Sequence, residues 1–219
     1  GADVAATPLG LMGGTFDPVH YGHLRLALDA ADELRLPEVR WIPSGTPGHR
    51  AAAPRAPAAD RLAMLRLAIA DEARFSIDAS ELESDEPTYT VPMLERLRRE
   101  LGERRPLVMI LGMDSFLTLH TWRSWERLFD LAHFAVAERP GYELDVDKLP
   151  APLANVYAER LAEAARIGER PHGYIVHFAS ARLAISSTDI RARIARGGSV
   201  RYLLPETVLR YIESKGLYR

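Results

Sequence analysis

The stretch Leu107 to Leu111 places five apolar side chains in a row and stops at Gly112. A run of that length reads as a β-strand buried on both faces. Such strands belong to parallel sheets, whose crossover helices cover both sides. Helices must then lie between the strands, and the pattern supplies them. Leu9 to Met12 is a second apolar run, ending at Gly13-Gly14. Leu24, Ala27, Leu28, Ala31 and Leu34 follow at helical spacing, and Val39 to Ile42 is a strand stopped by Pro43. Leu62, Leu65 and Ile69 mark a helix, while Phe75, Ile77 and Ala79 alternate as a strand. Val91, Leu94, Leu97 and Leu101 form another helical face. The pattern then predicts a helix over Trp122–Leu131, a strand over Phe134–Ala137 and a turn at Arg139-Pro140-Gly141. Beyond it come an exposed helix over Val156–Ile167, a strand over Tyr174–Phe178, and helices near Thr188–Ala195 and Glu206–Ser214. Ser44 to Ala59, rich in Pro, Gly and Ala, reads as a long loop.

Repeated β-α alternation predicts an α/β chain with a doubly wound parallel sheet. The expectation is one domain over 1–219, with 1–8 a disordered or cloning-derived N-terminus. Ligands of such sheets sit beyond the carboxyl ends of the strands. Gly13 to His23 and Gly112 to Asp114 would then face one crevice.

Composition narrows the function classes. The chain is 47% hydrophobic and 26% charged, with a formal net charge of −2. That suits a core of normal size and offers no basic field to nucleic acid. Cysteine is absent, which excludes disulfides, thiolate catalysis and cysteine-ligated zinc. No apolar run reaches the length of a membrane span. The first residues lack the basic-then-apolar pattern of a signal peptide. The expectation is a cytoplasmic protein without nucleic-acid or membrane partners, its oligomeric state left open.

The chemistry concentrates in Gly13-Gly14-Thr15-Phe16-Asp17-Pro18-Val19-His20-Tyr21-Gly22-His23, between the first strand and the first helix. Paired glycines let backbone approach a ligand closely. A helix start offers free N–H groups and a positive dipole end to phosphate. His20 and His23 share a face in a first helical turn, with Gly22 removing a side chain that would crowd it. Imidazolium groups there could donate to phosphate oxygens. Two histidines could also hold a metal, but no third ligand clusters with them in sequence, so no metal site is expected. The segment is neither a P-loop nor the three-glycine dinucleotide fingerprint. It reads as a phosphate cradle.

These residues resemble the signature of the nucleotidyltransferase superfamily, whose hallmark His-x-Gly-His is His20-Tyr21-Gly22-His23 here. That superfamily also carries a Ser/Thr-rich helix start followed by Arg, which Ile185-Ser186-Ser187-Thr188-Asp189-Ile190-Arg191 fits. Within it the chain is most similar to the bacterial nicotinate-nucleotide adenylyltransferases. Gly48-His49-Arg50, Pro87-Thr88-Tyr89-Thr90, Gly112-Met113-Asp114-Ser115, Thr121-Trp122, Arg139-Pro140-Gly141 and Gly216-Leu217-Tyr218 carry that resemblance. It spans nearly the whole chain from Leu9 and is weakest over Pro150 to Gly173.

The resemblance implies a Rossmann-like nucleotidyltransferase fold. It implies transfer of AMP from ATP to nicotinate mononucleotide, giving the dinucleotide and pyrophosphate, with Mg²⁺ carried by the ATP phosphates. It implies that His20, His23 and Arg191 are catalytic. Gly13, Gly14, Thr15, Phe16, Gly112, Asp114, Ser187 and Thr188 would bind ATP with them. Arg50, Thr90 and Trp122 would bind the acceptor, Trp122 stacking on the pyridine ring and Thr90 lying near its carboxylate. Each residue has a plainer reading as well. Ser187 and Thr188 could be helix caps, Asp114 an N-cap, Arg191 an exposed helix charge and Arg50 a solvated loop residue. Trp41 and Trp125 could equally be core, and Arg123 beside Trp122 either favours an acid over an amide or is a surface charge. Rival functions are a phosphopantetheine adenylyltransferase, an enzyme preferring the amide mononucleotide, and a non-catalytic nucleotide sensor.

Overall fold

The computed structural model describes residues 7–47, 53–84, 86–138, 141 and 143–219. Six parallel strands form the main sheet: β1 (Leu9–Gly14), β2 (Glu38–Pro43), β4 (Phe75–Ile77), β6 (Leu107–Leu111), β7 (His133–Glu138) and β8 (Ile175–Ala179). Their order is β4-β2-β1-β6-β7-β8. The chain winds outward from β1 in one direction and returns through β6 in the other. That reversal opens a crevice at the carboxyl ends of β1 and β6. Two further strands, β3 (Thr46–Pro47) and β5 (Pro87–Thr88), pair in parallel beside the main sheet.

The alternation of side chains explains both layers. Leu107, Met109 and Leu111 of β6 enter one core with Leu9 and Leu11, closed by α3 (Thr90–Leu101), α4 (Met113–Leu117) and α5 (Ala151–Arg160). Val108 and Ile110 face the opposite core, closed by α1 (Tyr21–Glu33), α2 (Ala58–Ile69), α6 (Ser187–Ala195) and α7 (Glu206–Lys215). All five residues of β6 are buried, as a strand covered on both faces must be. Gly10 lets the turn into β2 close on β1, since a Cβ there would lie 2.8 Å from Leu36 Cδ1 and push that side chain aside.

Several elements differ from the sequence expectation, each for a local reason. The helix expected over Trp122–Leu131 is a 3₁₀ turn over Trp125–Asp130. Trp122 is extended (ψ 145°) and Ser124 is left-handed (φ 56°), so no α-helix can run through them. The helix expected over Val156–Ile167 is α5, which starts five residues earlier at Ala151, with Pro152 in its first turn. It stops at Arg160 because the next backbone is claimed by the sheet: Leu161 bridges Ile175, and Ala162 N donates to Ile175 O at 2.9 Å. Nor is it an exposed helix, since Leu153 and Tyr157 are buried. Ala79 leaves the strand after Ile77 and precedes a 3₁₀ turn over Ser80–Glu83. In the stretch read as a loop from Ser44, Thr46–Pro47 pairs with Pro87–Thr88. Arg139 and Pro140 of the expected turn lie outside the described residues. Thr7, within the stretch expected to be disordered, accepts at its carbonyl from Arg105 Nε at 2.6 Å.

Candidate functional site

The crevice between β1 and β6 is a cavity of about 660 Å³. That volume suits a small-molecule ligand. Gly13 and Gly14 end β1 at its floor. A Cβ on Gly13 would meet nothing within 4 Å, whereas one on Gly14 would touch the Phe16 ring at 3.0 Å. Phe16 is itself buried, against Trp41 (5.2 Å between centroids) and edge-on to His23 (5.1 Å). Its side chain is therefore core, and it can meet a ligand through backbone.

The two histidines open α1 together. His20 is the N-cap, and its Nδ1 accepts from Gly22 N at 3.0 Å. His23, one turn on, accepts the His20 N–H at Nδ1, 3.1 Å away. The pair thus forms a capping box, a job usually given to Ser and Glu. The rings stack with centroids 3.7 Å apart and planes 27° apart. Gly22 leaves room for this ring position, since a Cβ would lie 2.8 Å from His20 Cε1.

This arrangement decides the protonation state that the sequence leaves open. Burial lowers the His20 pKa from 6.5 to about 4. Burial first, and then the neighbouring His20, hold His23 well below its ordinary value. Both rings are neutral at pH 7. Because each Nδ1 accepts a backbone N–H, the single ring proton resides on Nε2. The cavity thereby receives two neutral N–H donors of fixed tautomer.

The opposite wall comes from α6. The cap of that helix is Ser186, accepting from Asp189 N at 3.0 Å, and not Ser187 or Thr188. Ser187 Oγ instead donates to Pro18 O at 2.9 Å, tying α6 to the β1–α1 loop. Arg191 is only 24% exposed in its side chain. Its Nη1 donates to Asp17 O at 2.8 Å, and its Nη2 approaches Thr188 Oγ1 at 3.4 Å. It is thus a held guanidinium beside the cavity and not a free surface charge.

At the end of β6, Gly112 is the N-cap of α4 and Asp114 stands one residue inside the helix. Asp114 is therefore not the cap. Its carboxylate is 76% exposed and lies 3.9 Å from Arg182 Nη2. Thr90, the first residue of α3, and Trp122 both line the cavity. The other tryptophans separate from it: Trp41 is fully buried against Phe16 and Phe75, and Trp125 packs on Phe129. Arg123 places its guanidinium 4.6 Å above the Tyr89 ring. Arg50 lies outside the described residues.

Three buried polar residues frame the site, none of them assigned a role from sequence alone. Arg61, 2% exposed on α2, donates to Thr15 O (2.9 Å), Ser44 O (2.7 Å), Gly45 O (3.1 Å) and Ala56 O (3.3 Å). It thereby joins the loops after β1 and β2 to the entry of α2. Asp17 accepts from the backbone of Arg55 and Ala56. Asp29 accepts from Ser180 Oγ (2.9 Å) and Ala181 N (2.8 Å), fixing the segment after β8 that lines the cavity. Its carboxyl pKa is lowered, burial opposing the shift and the bonds from Arg25, Ala181 and Ser180 producing it.

Known proteins carry the same sequence pattern. The cytidylyltransferase-like family model matches residues 11–193. A protein of Dechloromonas aromatica (strain RCB), named probable nicotinate-nucleotide adenylyltransferase, is 52% identical over 213 residues, covering 97% of this chain and 98% of its own. The chain belongs to the nicotinate-nucleotide adenylyltransferase family. A relative of the same name from Aeromonas salmonicida (strain A449) is 44% identical, with 97% of both chains covered. The fold extends further than the sequence identity. The Plasmodium falciparum nicotinic acid mononucleotide adenylyltransferase complexed with NaAD superposes with a TM-score of 0.71 at 18% identity, over 97% of both chains. The family therefore spans this chain nearly end to end, and its nucleotidyltransferase fold is the one described above.

Proposed function

We propose that the chain transfers AMP from ATP to nicotinate mononucleotide in NAD biosynthesis, releasing pyrophosphate. The observation that carries this reading is convergence: the His20–His23 pair, the α6 start with Arg191, and Thr90 with Trp122 line one cavity, although they come from three distant parts of the sequence. A phosphate oxygen of the mononucleotide attacks the α-phosphorus of ATP. The new P–O bond forms as the bond from the α-phosphorus to the bridging oxygen breaks, and pyrophosphate leaves with that oxygen. Such chemistry needs positioning and charge neutralisation and no covalent nucleophile on the protein.

His20 and His23 offer Nε2–H donors to the ATP phosphates without first taking up a proton. Their fixed rings cost no reorganisation as charge shifts toward the leaving group. Arg191 supplies the formal positive charge for the departing pyrophosphate, with Ser187 and Thr188 beside it. Gly13, Gly14, Thr15 and Phe16 meet the nucleotide through backbone, and Gly112 with Asp114 reaches the ribose. Trp122 offers a flat face to the pyridine ring, and Thr90 backbone N–H its carboxylate. Arg50 is assigned to a substrate phosphate on the resemblance alone. ATP would enter as its Mg²⁺ complex: the cavity is lined by imidazole, hydroxyl and guanidinium groups and by the carboxylates of Asp17, Asp114 and Glu138, but among the described residues no three potential ligands cluster, so the ion would stay on phosphates and water. A cytoplasmic location belongs to the same proposal, since both substrates are phosphorylated and remain where they are made.

The test is pyrophosphate release with ATP, Mg²⁺ and each of three acceptors: nicotinate mononucleotide, its amide and phosphopantetheine. The acid should be turned over fastest. Absence of release with either pyridine acceptor would overturn the reading, and equal efficiency on acid and amide would remove the acid preference from it.

A further inference from the structure

Tyr218 stands 201 residues from Asp17 in sequence, yet its hydroxyl donates to Asp17 Oδ1 at 2.7 Å. The same carboxylate accepts Ala56 N at Oδ1 (3.1 Å) and Arg55 N at Oδ2 (2.7 Å). On the main-chain side, Asp17 O accepts Arg191 Nη1 at 2.8 Å, and that nitrogen lies 3.9 Å from Oδ2. Asp17 is 4% exposed, so its carboxylate is held away from water while Arg55, Arg191 and Tyr218 reach the surface. One buried residue therefore joins the cavity wall at Arg55, the guanidinium of Arg191 and the segment after α7.

That segment is shaped for the contact. Gly216 (φ 63°) and Tyr218 (φ 65°) are both left-handed, which curls the chain back from the end of α7. A bulky residue rarely adopts that backbone, and a hydrogen bond to a buried carboxylate offsets its cost. Burial first, and then the Asp17 bond, hold the phenol well above its ordinary pKa, so the hydroxyl stays a donor. Arg61, whose guanidinium ties Thr15 and Ala56 together, closes the same frame from beneath.

We propose that Tyr218 is a positioning residue for the ATP end of the site: its hydroxyl holds the Asp17 carboxylate, and through Asp17 it sets Arg191 and the wall at Arg55. The inference rests on the assignment of Arg191 to the ATP phosphates. A side chain that only filled space would serve equally well without its hydroxyl.

The test compares wild type with Tyr218→Phe, which keeps the ring and deletes the donor. ATP binding with Mg²⁺ is measured by calorimetry at a temperature where circular dichroism finds both proteins folded. The Kd of the variant should rise on the order of tenfold, because ATP must then order an Arg191 that the wild type already holds in place. The same substitution made on Arg191→Lys should change the Kd by less than about twofold, because coupled sites are not additive. An unchanged Kd, or full additivity with Arg191→Lys, would overturn the proposal. Wild type that binds ATP but turns over no pyridine acceptor would remove the acceptor reading and leave this one intact. Wild type that binds no ATP would remove both.

Discussion

Lowering the pH should destabilise the folded chain through His20 in a window set by its burial. Folding moves the His20 pKa from 6.5 down to about 4. Between those values the unfolded chain takes up a proton that the folded chain refuses, so stability falls as pH falls from 6.5 toward 4 and is fully retained above 6.5. Between pH 7 and pH 5 that one group should remove about 2 kcal/mol. His133 behaves alike, since burial also lowers its pKa to about 4. His20→Asn keeps a side-chain acceptor at the N-cap of α1 but cannot titrate, so it removes the His20 contribution and also relieves His23 of its neighbour's repulsion. Urea unfolding of both proteins at pH 7 and pH 5 gives the loss for each. The loss in His20→Asn should be smaller than in wild type by about 2 kcal/mol. Equal losses in the two proteins would refute the reasoning, because His20 would then titrate alike folded and unfolded.

Two further substitutions probe the site directly. Gly22→Ala adds a good helix former, yet its Cβ would lie 2.8 Å from His20 Cε1 and 2.9 Å from Nδ1. The ring must turn away, so kcat/KM should fall about tenfold or more while the melting temperature changes by only a few degrees. A fully active Gly22→Ala would show that the ring position does not matter. Trp122→Ala should raise the KM for the mononucleotide about tenfold and leave ATP binding within about twofold of wild type, since the indole is assigned to the pyridine ring alone. Weakened ATP binding with an unchanged acceptor KM would reverse that assignment.

What could be read in the sequence was what depends on near neighbours. The glycines ending β1, the His20-x-Gly22-His23 spacing and the fully apolar β6 all carry their meaning within one turn or one strand. They located the crevice correctly, because strand order decides which loops meet and β-α alternation decides strand direction. Other features depend on contacts between distant segments. Nothing in the local sequence of Arg61 separates it from the exposed Arg66 of the same helix, yet Arg61 binds four carbonyls from three segments. The partnership of Asp17 with Tyr218 spans almost the whole chain. The charge of the histidines could not be read in the sequence for the same reason, since burial and not spacing sets their pKa. Helix ends failed where the sheet intervened, as at Leu161, whose backbone pairs with Ile175. The caps of α4 and α6 also moved: Gly112 and Ser186 take the places that composition offered to Asp114, Ser187 and Thr188.

The most direct measurement of the central claim is stoichiometry. Purified protein is incubated with ATP, Mg²⁺ and nicotinate mononucleotide, and the dinucleotide and pyrophosphate are quantified together by chromatography. The account predicts that both appear in equal amounts, one for each ATP consumed, and that neither forms without the mononucleotide. ATP consumed without dinucleotide, or phosphate released in place of pyrophosphate, would contradict it.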